Sequence, residues 1–391
     1  MNYTVGETFV GCGGSHEGFK RAGFESVFAN DIWADSLKTL KQNNADCDLN
    51  IVHDDINNVT ASSLNLKKNL DVLIGGVVCK GFSLAGVRNP CDQRNYLYLQ
   101  QLRLVKELKP KISIIENVPG MISMNILNKT QEEEIICLTK KMDNVCEEHK
   151  KVRANIINLN KKEQNAEKEK EKLKNLTEER KIIDKQLDKY KYNVVDHIFQ
   201  LYEQMDYTVY KKVLICSEYE CYTNRKRLFI IAIRNDIHKK EWKYPEPLTK
   251  DLLPTVKDAL TLLDPVINDP KNDPDNVPMK HTEKTIEKFK KVSIDKKNND
   301  EKFFSRGTSN RLDYSKPAPT LVPGHSSFQI HPVEHRSITV REGALITGFP
   351  KEYKFFGSHT SRCMQIGNAI PVNMAKNIAL KCKEYLDDVL V

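Results

Sequence analysis

Short apolar runs alternate with amphipathic stretches across residues 1–120, and this alternation restricts the fold more than any other feature of the chain. Thr4–Val10 reads as a strand that runs into Gly11-Cys12-Gly13-Gly14, with a helix over Glu17–Ala22. Glu25–Asn30 is a second strand, followed by a helix over Ala34–Asn43. Leu70–Ile74 is an apolar run closed by Gly75-Gly76, and Lys111–Ile115 is another, preceded by a helix over Leu97–Leu108. Such an alternation builds βαβ units around a parallel sheet, and ligands of these sheets bind at the carboxyl ends of the strands. Function is therefore sought in the residues that directly follow each strand.

The pattern stops near Asn125. From there to about Asn193 the chain has almost no Gly or Pro and is dense in Lys and Glu. Apolar or tolerated residues recur at steps of four and three, at Leu138, Met142, Val145, His149, Val152, Ile156 and Leu159, then at Leu176, Arg180, Ile183, Leu187 and Tyr190. This heptad spacing with a phase slip predicts an antiparallel coiled-coil-like hairpin that turns around Asn158–Asn165, because sheet-like runs resume at Val209–Ile215 and Leu228–Ile233. Residues 236–335 hold most of the prolines and little periodicity, as in a small loop-rich domain; 258–275 is acidic, whereas 280–316 carries eleven Lys/Arg against six Asp/Glu. The expected boundaries are thus 1–124, 125–193, 194–235, 236–335 and 336–391, the last returning to helix and strand patterns.

The 61 Lys+Arg exceed the 53 Asp+Glu by eight, a surplus compatible with a polyanionic partner. No run approaches the ~18 apolar residues of a membrane span, so no membrane partner is expected. Met1–Gly14 lacks a charged leader followed by an apolar run, which points to a cytoplasmic protein. Ten scattered cysteines without a CxxC pair fit reduced thiols, and no metal is expected: His331 and His335 are separated by Pro332 and have no clustered cysteines.

Four segments carry candidate chemistry. The Gly11–Gly14 turn would let a backbone approach a nucleoside closely, with Asp31 at the end of the next strand placed for a ribose hydroxyl pair. The spacing departs from GxGxxG and so disfavours a pyrophosphate dinucleotide. Cys79 lies in a loop just past an apolar strand, where a thiolate could act as a nucleophile with Lys80 favouring its ionised form. Glu116-Asn117-Val118 ends the neighbouring strand and would bring an acid beside that thiol. Arg225-Lys226-Arg227, before Leu228–Ile233, could direct two arginines to the same place. Each segment alone is also explained by a tight turn, a small core thiol or solvated charge.

Taken in chain order, these segments resemble the DNA (cytosine-5) methyltransferase family of bacterial and phage type. Phe9–Gly14 is similar to its first motif, Gly76–Ser83 to its nucleophile loop GPPCQGFS, and Glu116-Asn117-Val118 to its ENV. Arg225-Lys226-Arg227 resembles its RxR, Ile338–Pro350 its LTxREAxxLQGFP, and Gln365–Pro371 its QxGNAVP. The resemblance covers about 1–124, 194–235 and 317–391. It implies a Rossmann-like α/β core that uses S-adenosylmethionine, with a target-recognition domain within 236–335 and the helical hairpin as an insertion.

It also implies roles. Cys79 would add to C6 of a flipped cytosine, with Glu116 at N3 and the exocyclic amine, and Arg227 and Arg225 on the opposite side of the ring and loop. Phe9, Gly11, Cys12, Gly13 and Gly14 would form the cofactor turn; Asp31 would hold the ribose, Ile32 the adenine, and Asp55-Ile56 the adenine side, with Leu97, Asn368 and Ala369 closing the pocket. Lys80, Ser83, Thr320 and Leu321 would face DNA, and 280–316 is the stretch expected to contact it. Double-stranded DNA is the implied partner and a monomer the implied state, with a separate cognate restriction endonuclease and a protein contact at the hairpin as further partners to consider.

This chain departs from the family pattern at Val77 and Val78, usually proline, at Lys80, usually glutamine, at Thr223, often glutamine, and at Asp31, usually glutamate. None of these changes removes a reacting group. Two other readings use the same residues: a cytosine-5 methyltransferase acting on structured RNA, and a non-catalytic DNA-binding protein on a degenerate methyltransferase fold.

Overall fold

The computed structural model describes residues 3–45, 47–77, 92–128, 133–162, 164–294, 310–322 and 328–390. They divide into two compact units, one from 1–77, 103–116 and 206–391, the other from 78–102 and 117–205.

The first unit opens with β1 (Thr4–Thr8), every residue of which is buried. Gly13, left-handed at φ 92°, reverses the chain, so α1 (Gly14–Arg21) starts within the glycine turn, earlier than its amphipathic spacing suggests. Next come β2 (Glu25–Asp31), α2 (Ala34–Gln42), β3 (Asn50–His53), the single-turn α3 (Ala61–Leu64) capped by Thr60, and β4 (Val72–Gly76). Asn50–His53 is too short and polar to be read as a strand from sequence, and pairing with β2 is what makes it one. After α4 (Tyr98–Leu108), β5 (Ile112–Asn117) is buried throughout, so Glu116 lies within the strand rather than past it.

In the second unit, β6 (Asn125–Leu127) leads into the 29-residue α5 (Glu133–Lys161) and the 21-residue α6 (Glu167–Leu187). β7 (Lys191–Asn193) then pairs antiparallel with β6, Asn125 opposite Asn193, and α7 (Val194–Glu203) follows, capped by the Asn193 side chain. Leu138, Met142, Val145, Cys146, Ile183 and Leu187 form the apolar seam between α5 and α6, and Lys172 crosses it to Glu148 at 2.6 Å. Those exposed charges add little; burial of the leucines, about 1.5–3 kcal/mol each, holds the pair together.

The chain returns to the first unit with β8 (Tyr207–Ile215) and β9 (Lys226–Arg234). Strand order in the seven-stranded sheet is β3-β2-β1-β4-β5-β9-β8. The pairs from β3 through β5 are parallel as expected, whereas β8 and β9 are antiparallel, since the ten residues between them (216–225) are too few for a parallel crossover.

The short helices α8 (Val256–Leu260) and α9 (Glu283–Lys290) lie in the irregular stretch; α10 (Val340–Thr347), α11 (His359–Asn368) and α12 (Val372–Leu390) close the chain. The tail therefore contains helices and no strand among the described residues. α12 crosses α1 so closely that a Cβ on Gly18 would lie 2.5 Å from Ala375 Cβ. The stretch 236–335, expected to form its own small domain, shares a core with α10 and α11 through Val256, Leu312, Leu321 and Phe328. Arg311, buried, ties it together by donating to the carbonyls of Phe289, Val292, His331 and Glu334 at 2.7–2.9 Å. No described helix is long and apolar enough to cross a membrane.

Candidate active site

The carboxyl ends of β1, β4 and β5 converge. Gly76, the last residue of β4, pairs with Glu116 of β5, and a Cβ on Gly76 would lie 3.5 Å from the Phe9 carbonyl and 3.8 Å from Glu116 Oε2. Gly76 is the first residue of the expected nucleophile-loop motif Gly76–Ser83. β9 adds Arg227, whose Nε lies 2.6 Å from Glu116 Oε1, with side chains only 9% and 10% exposed.

The N–H of that guanidinium does not point along the contact, so Glu116 Oε1 receives no well-directed hydrogen bond among the described residues. Burial pushes the Glu116 carboxyl above the usual range, and the positive charge of Arg227 beside it pulls it back down. The net effect is a Glu116 carboxyl held above its ordinary pKa at a strand end.

Arg225 goes elsewhere. Its Nη1 donates to the Gly367 carbonyl at 2.7 Å and Nη2 reaches the Asn368 carbonyl at 3.5 Å, while Nε is buried without a partner among the described residues. Arg225 thus bonds the last carbonyls of α11, whereas it was expected with Arg227 on the opposite side of the ring and loop. Cys79, Lys80 and Ser83 lie outside the described residues.

At the glycine turn, Asp31 is oriented by two backbone donors, Gly11 N–H to Oδ2 and Trp33 N–H to Oδ1, both at 2.8 Å. Burial raises its pKa against the pull of these N–H groups. Gly11, at φ 59°, faces open space, since a Cβ there meets no atom within 4 Å. Ile32, next to Asp31, is 65% exposed. An oriented carboxylate, an exposed aliphatic side chain and an open glycine backbone suit the ribose and adenine of a nucleoside cofactor.

Gly13 and Gly14 serve packing instead: their Cβ atoms would meet Leu40 Cδ1 at 2.7 Å and the Ile370 carbonyl at 2.3 Å. Cys12, expected at the cofactor, turns its thiol into the core, 3.5 Å from the Gln365 carbonyl. Asp55 binds the Asn57 backbone and side chain, and Ile56 is buried. Asn368 is exposed and Ala369 is packed against Gly14, their Cβ atoms 3.1 Å apart were Gly14 to carry one. Leu97, which ends a 3-10 turn, belongs to the other unit.

Thr320 and Leu321 follow a segment bridged to the arginine motif: Asn224 N–H donates to the Ala318 carbonyl at 2.8 Å. Thr320 is half-buried, but the Leu321 side chain sits in the core, correcting its expected place on a DNA-facing surface. The packed interior leaves only its backbone for such a role. Among the described residues no cluster of His, Cys, Asp or Glu could hold a metal.

Comparison with known proteins agrees with this arrangement. A family model described as C-5 cytosine-specific DNA methylase matches residues 3–192 and 183–384. The chain is 27% identical over 437 residues to Type II methyltransferase M.DdeI of Desulfomicrobium norvegicum, covering 98% of this chain and 89% of that protein. It is 26% identical to Type II methyltransferase M.MthTI of Methanothermobacter thermautotrophicus, over the full length of both. In fold it resembles a DNA modification methyltransferase encoded within an Escherichia coli prophage, with a TM-score of 0.65, 22% identity and coverage of 99% and 100%. The chain belongs to the C-5 cytosine-specific DNA methylase family, whose members are S-adenosylmethionine-dependent DNA cytosine-5 methyltransferases.

Proposed function

We propose that this chain methylates C5 of a cytosine extruded from a specific duplex DNA sequence, through a covalent bond between Cys79 and C6. The observation that carries the proposal is the buried Glu116–Arg227 pair at the sheet edge, with its under-satisfied carboxylate oxygen. C5 of cytosine is too weak a nucleophile to take a methyl group unaided. Addition of the Cys79 thiolate to C6 makes C5 enamine-like, and negative charge develops toward N3. Glu116, biased by burial toward its protonated form, donates to N3 as that charge appears, and Arg227 holds the carboxyl in place. After methylation the C5 proton leaves to a base and the Cys79–C6 bond breaks, restoring the thiolate. Both ring faces are needed, so the base must leave the stack.

When bound, S-adenosylmethionine supplies an electrophilic sulfonium methyl group. Asp31 would take its ribose hydroxyls and Ile32 its adenine, with the Gly11 backbone lying close. The stretch 236–335 would read the target, with exposed Lys280, Lys284, Lys290 and Lys291 on and around α9 neutralising phosphates. Relatives named Type II methyltransferases support a role in shielding a recognition site from a separate endonuclease.

The test is incubation with methyl-labelled cofactor and duplex DNA or structured RNA, followed by bisulfite sequencing. Label in DNA at one sequence context, abolished by Cys79→Ala, is expected. Label in RNA alone would move the substrate class, and DNA binding without transfer would leave only a binding protein.

A further inference from the structure

Beneath the glycine turn lies a buried polar cluster that the proposed chemistry leaves unused. Glu7, the penultimate residue of β1, is 1% exposed between Ala29 and Ile74 of the flanking strands. A carboxylate is costly there unless its oxygens are occupied. Ser15 Oγ donates to Oε2 at 2.6 Å, and His16 Nδ1 lies 3.0 Å from Oε1. On its far side His16 Nε2 is 3.2 Å from Asn44 Oδ1, and Asn44 is itself oriented by donating from Nδ2 to the Leu40 carbonyl at 2.9 Å. Both ring nitrogens of His16 therefore face oxygen acceptors.

Ser15 and His16 belong to the first turn of α1, so these bonds join the strand to the helix across the inside of the turn that connects them. The backbone of that turn is left-handed at Phe9 (φ 53°), Gly11 (59°) and Gly13 (92°), a strained conformation at Phe9 alone. The α1 N-cap, Gly13, supplies no side-chain hydrogen bond. The two glycines take that conformation freely, but Phe9 does not, and a non-glycine residue so placed persists only where its surroundings over-determine it. Tyr353 holds the turn from another side, donating its hydroxyl to the Cys12 carbonyl at 2.7 Å.

We infer that Glu7, Ser15 and His16 are positioning residues that preset the Phe9–Gly13 turn for S-adenosylmethionine. The inference rests on the reading of that turn as the cofactor site. Without the bracket the turn samples other conformers, and affinity falls in proportion to the competent fraction. A network that served stability alone would weaken cofactor and DNA binding together.

The test uses the full chain, with equilibrium dialysis of labelled S-adenosylmethionine and DNA binding measured separately by fluorescence anisotropy. Glu7→Gln keeps shape and one acceptor but loses the charge. It is expected to raise the cofactor Kd and KM about tenfold, and Ser15→Ala about threefold, with DNA Kd and kcat at saturating cofactor within about twofold of the parent. Asp31→Ala separates the two levels: if it leaves cofactor binding intact, the turn is not the site and the underlying reading fails. If Asp31→Ala abolishes binding while Glu7→Gln and Ser15→Ala leave Kd unchanged, or weaken cofactor and DNA alike, the positioning role is overturned. Should Glu7→Gln not fold, Ser15→Ala and His16→Gln decide the outcome by the same criteria.

Discussion

Replacing Arg227 by Met removes the cation that offsets a buried carboxylate while keeping most of the side-chain volume. The pair is 2.6 Å apart, with both side chains about one-tenth exposed. Taking one partner from such a pair leaves an uncompensated charge, at a cost of about 3–5 kcal/mol. The cost depends on pH in a definite direction. Burial already raises the Glu116 pKa and Arg227 lowers it, so the variant has a folded-state pKa further above the unfolded value.

A group with a raised folded pKa contributes its stability fully below the unfolded pKa and loses it as pH rises through the folded one, about 1.4 kcal/mol per unit of difference. The deficit of Arg227→Met should therefore be largest near pH 8 and shrink on acidification toward the ordinary carboxylate range, where Glu116 carries its proton in both states. Urea unfolding followed by fluorescence of Trp33 and Trp242 at several pH values measures it. Adding Glu116→Gln should recover most of the alkaline loss, because no charge then remains to be buried. A deficit equal at every pH, or a double variant no better than the single, would refute the claim that Arg227 compensates a Glu116 charge.

Three further outcomes are expected, two from the geometry and one from the sequence adjacency of Lys80 and Cys79. Gly14→Ala drives a Cβ to 2.3 Å from the Ile370 carbonyl and should cost about 3 kcal/mol or more, whereas Gly11→Ala meets only open space and should cost about 1–2 kcal/mol through its positive φ, with its main effect on cofactor affinity; thermal unfolding and dialysis together distinguish them, and equal stability losses would contradict the assignment. Lys80→Gln should shift the pH dependence of covalent trapping on fluorocytosine DNA to higher pH, since a neighbouring cation favours the thiolate; an unchanged profile would remove Lys80 from the mechanism. Arg311→Lys cannot reproduce a fork that reaches four carbonyls and should speed hydrogen exchange at Phe289–Val292 by tenfold or more, about 1.4 kcal/mol or above of local opening; unaltered protection there would show that Arg311 is dispensable.

The alternation of apolar runs and amphipathic stretches determined by itself that this chain builds a parallel α/β sheet, because side-chain periodicity is a local property that burial then enforces. The motif residues were legible for the same reason: Glu116, Arg227, Asp31 and the glycines directly end or precede strands, and parallel pairing brings strand ends together. Non-local contacts decided the rest. Asn50–His53 becomes a strand only beside β2, and Arg225 differs from Arg227 only because the Gly367 and Asn368 carbonyls lie within its reach. Cys12 and Leu321 sit in motif positions, yet α10 and α11 fold over them and turn both side chains into the core. The Glu7–Ser15–His16 bracket is the clearest case, since a charged residue within an apolar strand has no local explanation. Its partners lie eight and nine residues away, across a turn with left-handed backbone at Phe9, Gly11 and Gly13.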